Sequence, residues 1–493
     1  MSNRLTLFSR CAAVSAAALI ALSATSASAQ SNLERFNRQL EQIHQDSLTQ
    51  PSKDVPVGQR ALLDYGGYFT FNYLTVDDQN DNTHVLKEYD TVLYTRLNFD
   101  GAHELFLRVR GTYQDFNKGD SFNGKGDAWL NQEVVDRAYY RFDLAKSAAA
   151  YHGRELPYNI TAEAGRDLAY WGTGLTLSQV LDGAFVNVAS GPVSVDVIAG
   201  VTPTKTVDFD SSRPHFDTST HRGFYGGMIS TEIATKYMGN HRPYAYVLFQ
   251  QDYNNDETLN VVPTTTKFSY NSHYVGVGST GSLTDKLLYA SEFVYEGGEG
   301  LSNAYEINPP FISSVPQTSN DIEAYAADMR LDYLFNDPYR TRLSAEVIAT
   351  SGDENRGQSS SNTFGGSKPG TKDRAFNAFG LPNTGLAFAP TASNLLIGRG
   401  GVSAFPLSDF SLFRRMQMGA DAFVFFKTVD DAPVDEPTRS NSYLGWEPDV
   451  FINWQVTSDV TFAARYGIFM PSDDAFESDT PRQFFSIGLT FAF

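Results

Sequence analysis

The chain is almost without cysteine. Among 493 residues only Cys11 carries a thiol, and it falls in a segment laid out like a secretory signal. A mature chain with no cysteine excludes a disulfide framework, a thiol nucleophile and a thiolate metal site. Histidine is sparse as well: eight residues, with His44, His152, His221 and His273 on separate elements. Neither G-x-S-x-G nor H-E-x-x-H occurs, so no hydrolase motif is present and the chain reads as a non-enzyme. Cations are in deficit, 38 Lys plus Arg against 57 Asp plus Glu, a formal charge of −19. That balance excludes nucleic acid as a partner, because phosphate binding needs clustered cations. Beyond the first thirty residues no run approaches the ~18 apolar residues of a membrane-spanning helix. A transmembrane barrel is not excluded, since its strands alternate and average to a polar composition.

Met1 to Arg10 carries Arg4 and Arg10 and no acid, Cys11 to Leu22 is a short apolar run, and Ala27-Ser28-Ala29 is an A-x-A site. Residues 1–29 therefore read as a signal peptide. In the leader, 30–60, Leu33, Phe36, Leu40 and Ile43 fall at helical spacing, which predicts a short amphipathic periplasmic helix before Pro51 and Pro56.

From Ala61 onward period-two alternation takes over. Tyr89, Thr91, Leu93, Thr95, Leu97 and Phe99 alternate with Glu88, Asp90, Tyr94, Arg96 and Asn98, and the return strand repeats the pattern after Asp100-Gly101. About eighteen such segments occupy 61–493, most of them longer than the ~9–11 residues that a tilted strand needs to cross a bilayer. The odd connections are long, the longest at 352–392. The even ones are short, as at Ser190 to Pro192 and Thr457-Ser458, with Ala145 to Pro157 the exception. Long loops at one end and tight turns at the other predict an all-β transmembrane antiparallel barrel, with extracellular loops and periplasmic turns, in the cell outer membrane. In the last strand Phe485, Ile487, Leu489, Phe491 and Phe493 form a lipid-facing stripe, and the terminal Phe resembles the signal read by the barrel-assembly machinery.

Arginine on the lipid face at mid-bilayer costs ~2–4 kcal/mol, so mid-strand arginines belong in the lumen. On that register the lumen carries Arg96, Arg108, Arg110, Arg137, Arg141, Arg330, Arg342, Arg415 and Arg465. The acids Glu133, Asp143, Asp328, Asp332, Glu346 and Asp421 lie between them. The arginines either bind carboxylates in transit or pair with those acids. Other acids gather in loops, as Asp353-Glu354 and Asp430-Asp431. Bound Ca²⁺ is one use for such runs, but none has an EF-hand register, and no cofactor is expected.

Several stretches carry a resemblance: Asp136-Arg137-Ala138-Tyr139-Tyr140-Arg141-Phe142, Gly165-Arg166-Asp167, Lys372 to Gly380, Leu444 to Asp449 and Arg465 to Pro471. The sequence resembles the alginate-export family of outer-membrane proteins. The resemblance implies an eighteen-strand barrel, an electropositive constriction and export of an anionic polyuronate. By motif position it carries the constriction role onto Arg137, Arg166, Arg374 and Arg465. Alternation sets Arg166 beside Ala162 and Ala164 on the outer face, so it reaches the lumen only through a bulge near Gly165. Arg374 reaches it only if the 352–392 loop folds inward. The long occluding periplasmic turn of the best-known members is reduced here to Val456-Thr457-Ser458-Asp459. The implied surroundings are outer-membrane lipid, periplasmic export components and a monomeric barrel. A passive porin for small anionic nutrients or sugar acids would use the same barrel and the same arginines, and stays open as the alternative.

Overall fold

The computed structural model describes residues 61–79, 82–121, 126–131, 135–235, 239–261, 264–308 and 311–493. The signal segment 1–29, the leader 30–60 and Glu133 lie outside the described residues.

The alternating segments form strands. In chain order these are β1 (Ala61–Asp77), β2 (Thr83–Phe99), β3 (His103–Phe116), β4 (Ala128–Asn131), β5 (Val135–Asp143), β6 (Tyr158–Trp171), β7 (Leu177–Ser190) and β8 (Val193–Val201). Next come β9 (Arg222–Thr231), β10 (Ile233–Thr235), β11 (Gly239–Asp252), β12 (Thr258–Val261), β13 (Thr264–Lys267), β14 (Tyr270–Thr284), β15 (Leu287–Leu301), β16 (Tyr305–Asn308) and β17 (Phe311–Ser314). The rest are β18 (Ser319–Leu334), β19 (Arg342–Thr350), β20 (Leu396–Ala404), β21 (Met416–Phe426), β22 (Tyr443–Gln455), β23 (Val460–Pro471) and β24 (Arg482–Ala492). β4 and β5 both pair with β3 and make one stave; β9 and β10 both pair with β11 and make another. β12–β13 and β16–β17 are separate hairpins within two long loops. Eighteen antiparallel staves remain, and the last closes on the first through Tyr68↔Ala492 to Val76↔Phe484. Thr70 and Thr490 share a hydroxyl hydrogen bond of 2.9 Å at that seam. The terminal Phe493 exchanges backbone hydrogen bonds of 2.9 and 3.0 Å with Gly67.

Burial along the strands is inverted relative to a soluble sheet. Asp328 is 6% exposed while the adjacent Met329 is 63% exposed. Glu88, Asp90, Glu104, Arg108, Arg137, Glu163, Glu292 and Glu346 are buried on the inner face; Leu93, Leu107, Val247, Phe249, Val277, Phe293 and Val347 stand exposed outside. Apolar side chains turned outward around a polar interior match a lipid solvent. Among the described residues no helix is long and apolar enough to cross a membrane.

The connection predicted as the exception, Ala145 to Pro157, contains a helix, α1 (Leu144–His152). Its alanine-rich sequence favours helix. Asp143 caps it, accepting from the Lys146 amide at 3.0 Å, so this predicted lumen acid serves the helix start instead.

Candidate functional site: the lumen

Cross-strand registry gathers the arginines on two walls. On the first, Arg108 and Arg137 stand directly opposite one another across β3 and β5, and Arg137 contacts Asp167 on β6. Arg108 pairs with Asp136, and Arg110 with Asp90 at 3.1 Å. Arg141 reaches Glu163 at 2.6 Å and Glu104 at 3.3 Å. Below them Arg96 meets Asp64 at 2.8 Å. On the second wall Arg330, Glu346 and Arg399 are consecutive cross-strand neighbours over β18, β19 and β20. Arg399 binds Glu346 at 2.8 Å and Asp421 at 2.9 Å; Asp332 takes Arg330 at 3.0 Å and Arg342 at 2.7 Å. β3 and β5 form the third and fourth staves, and β18 to β20 the twelfth to fourteenth. In a ring of eighteen, nine apart is across the lumen, so the walls face each other.

Most of these arginines are therefore neutralised by neighbours. Arg465 differs. It faces inward on β23, and its polar contact is Asn453 at 3.4 Å, with its guanidinium 5.8 Å from the Phe451 ring. Its Nε is buried with no hydrogen-bond partner. Two residues on, Gly467 lies opposite the buried Asp449, whose Oδ1 is likewise unbonded.

Two expectations are corrected, for Arg166 and Arg374. Arg166 does not line the lumen: the registers Ala138↔Arg166 and Arg166↔Asp182 run without a shift at Gly165, so it stays on the outer face. Arg415, just before β21, stands opposite the buried Gln455 and donates to it at 3.0 Å, so it keeps the inner-face register at the exposed periplasmic rim. Arg374 is exposed at the extracellular mouth near Glu323, although the loop around it folds inward. Arg399 is a lumen residue that the sequence reading leaves out, although the cost of a mid-strand arginine in lipid applies to it equally.

The 352–392 loop folds into the barrel. It leaves β19, pairs Asp373 beside Ile322 of β18, and crosses to pair Phe379 beside Leu177 of β7. Arg356 and Asp373 stiffen it with hydrogen bonds of 2.9 and 2.5 Å. Lumen glutamates hold it. Glu296 accepts the Asn377 amide at 2.9 Å. Glu447, wholly buried, accepts the amides of Leu386, Ala387 and Phe388, the last two at 2.7 and 2.8 Å. Glu292 holds a second inward turn through the Thr173 amide and the hydroxyls of Tyr244 and Tyr246. The two loops meet where Leu381 donates to the Gly174 carbonyl at 2.9 Å. Gly380 permits that approach, since a Cβ there would collide with the Leu175 carbonyl. The periplasmic turn at 457–458 is short, as expected, and closes through Val456 to Val460 at 2.9 Å. Loops from the extracellular side thus occupy part of the lumen.

Residues 179–484 match the family described as alginate export. No curated protein sequence matches the chain. Among solved structures, Pseudomonas aeruginosa OccK8 (OprE) aligns with a TM-score of 0.51 at 7% identity, covering 87% of this chain and 98% of that one. P. aeruginosa OpdK with vanillate aligns at 0.50 and 8%, covering 87% and 98%. P. aeruginosa OccK9 (OpdG) aligns at 0.50 and 8%, covering 88% and 98%. At such identities the likeness is one of fold: an outer-membrane barrel.

Proposed function

The chain belongs to the alginate-export family, and from that premise we propose that this outer-membrane channel exports an anionic exopolysaccharide of the polyuronate type. The observation that carries the reading is Arg465, a lumen guanidinium with no ion pair among the described residues, set among paired arginines on two facing walls. A planar guanidinium takes a carboxylate in two parallel hydrogen bonds and stays charged at any working pH. The paired arginines supply weaker sites, because a passing carboxylate must displace Asp136, Asp167 or Glu346. One open site beside contested ones suits a chain that steps along and is released. Met1 to Ala29 would direct secretion, and residues 30–60 would lie in the periplasm.

The alternative is a porin for small organic anions. It draws support from the narrowing by folded-in loops, and the neighbour OpdK was solved with vanillate. Single-channel recording in a planar bilayer separates the readings. An oligouronate should block the current in a salt-sensitive manner. A neutral glucan of equal length should block far less. Equal block by both would refute charge-guided export and favour the porin.

A further inference from the structure

The lumen face of the first wall also carries a row of aromatic rings among its charged side chains. Tyr94 on β2, Phe106 on β3 and Tyr139 on β5 follow one another, with ring centroids 6.3 and 5.2 Å apart and planes inclined by only 20° and 22°. The row is built in. The Tyr139 hydroxyl donates to Glu104 at 3.0 Å, and the Arg141 guanidinium lies 4.8 Å from its ring. At the other end the Tyr94 ring lies over Gly66, where a Cβ would stand 3.0 Å from the hydroxyl. Tyr139 is buried; Tyr94 and Phe106 are partly open. Arg108 sits opposite Tyr94, and Arg96 opposite Phe106, in register.

We propose that Tyr94 and Phe106, backed by Tyr139, form a stacking platform for a pyranose ring, with Arg96 and Arg108 flanking it to take the ring's carboxylate. The assignment rests on the export reading and adds to it what the cargo must present. A sugar ring shows an apolar C–H face that packs on an aromatic face, and a uronate adds a carboxylate at the ring edge. A small inorganic anion has no such face, so the platform gives preference for the sugar without altering preference for charge.

The test is single-channel recording on the full barrel with a defined uronate hexamer as blocker. The variants are Tyr94→Leu with Phe106→Leu, and Phe106→Trp as the ring-retaining control. Heat-dependent gel migration verifies folding of each. The expected result is a residence time shortened roughly three- to tenfold in the double leucine variant, as loss of aromatic contacts implies. Residence should be kept in Phe106→Trp, with the chloride-over-potassium reversal potential unchanged in both. Unchanged residence in the double leucine variant, with anion preference intact, overturns the platform and leaves the export reading standing. No block by the hexamer in the unmodified channel overturns both. If the double leucine barrel fails the gel test, Phe106→Leu alone is recorded, and residence equal to that of the unmodified channel likewise overturns the platform.

Discussion

Arg166 and Asp182 form a two-bond fork on the outer face of the barrel, Nε to Oδ1 at 2.7 Å and Nη2 to Oδ2 at 2.8 Å. They are direct cross-strand partners on β6 and β7, and Arg166 also donates to the Val135 carbonyl at 2.9 Å. The fork neutralises a cation that lipid would otherwise penalise. Asp182→Ala should destabilise the barrel by ~2–4 kcal/mol, the cost of a bare arginine in the membrane. The double change Arg166→Leu with Asp182→Leu should recover most of that loss. Urea unfolding in lipid vesicles measures both. Ion selectivity should be the same in every variant; a change of selectivity in Arg166→Leu would place this residue in the conducting path after all.

Selectivity should instead depend on how each lumen arginine is compensated. Arg137 contacts Asp167, so the double neutralisation Arg137→Gln with Asp167→Asn removes no net charge and should leave the reversal potential nearly unchanged. Arg465 has no such partner, and Arg465→Gln should lower the anion-to-cation permeability ratio clearly. Reversal potentials in a potassium chloride gradient decide the matter. Equal effects from the two changes would show that pairing does not set which arginines act.

Why the sequence discloses the staves but not the constriction follows from where each is encoded. Strand alternation is local: Tyr89 and Asp90 reveal opposite faces from adjacent positions, and one lipid-exposed face fixes the register. The placement of Arg166 comes from the same rule, and the family motif that suggests a lumen role does not alter it. Loop docking is not local. Glu447 meets amides some sixty residues earlier in the chain, and nothing in Gly385-Leu386-Ala387 announces a carboxylate partner. The hairpins β12–β13 and β16–β17 are too short for a periodic signal. α1 is readable from Asp143 and its alanines, but the strand pattern running to residue 144 obscures the cap.

The loop contacts should respond to pH. Asp210, in the 202–221 connection, accepts the Thr363 amide at 2.9 Å and the Ser212 amide at 3.1 Å, so it holds the tip of the inward loop. Burial raises its pKa above the ordinary aspartate value. Burial raises Asp353 and Asp435 in the same way. A carboxyl whose pKa rises on docking binds its proton more readily when docked. Its contribution to docking is full below the ordinary value of ~3.9 and is lost as pH climbs through the raised one. Conductance should therefore fall on acidification through that window. Asp210→Asn keeps an acceptor for Thr363 and loses the titration, so its conductance should vary less with pH. An unaltered pH profile in Asp210→Asn would exclude Asp210 from loop control.

Glu447 supplies the sharpest test of the loop as constriction. Three consecutive amides converge on its carboxylate, at Leu386, Ala387 and Phe388, where the loop returns toward β20. Removing a buried acceptor leaves the amides that bonded it unpaired, at a cost of ~1–3 kcal/mol each. Phe388 is held as well by ring contacts with Phe425 and Phe469, at 5.1 and 4.2 Å between centroids. Glu447→Ala should thus loosen residues 385–388 while those rings limit how far they move. The expected reading is a larger single-channel conductance with added current noise from a loop that opens and recloses. Glu447→Gln retains one acceptor oxygen and should fall between the alanine variant and the unmodified channel. Phe388→Ala combined with Glu447→Ala should give the largest and steadiest current. If conductance in Glu447→Ala equals that of the unmodified channel while the barrel keeps its heat-dependent gel shift, the 352–392 loop does not set the narrowest point. The conduction limit would then lie lower, at the facing arginine walls.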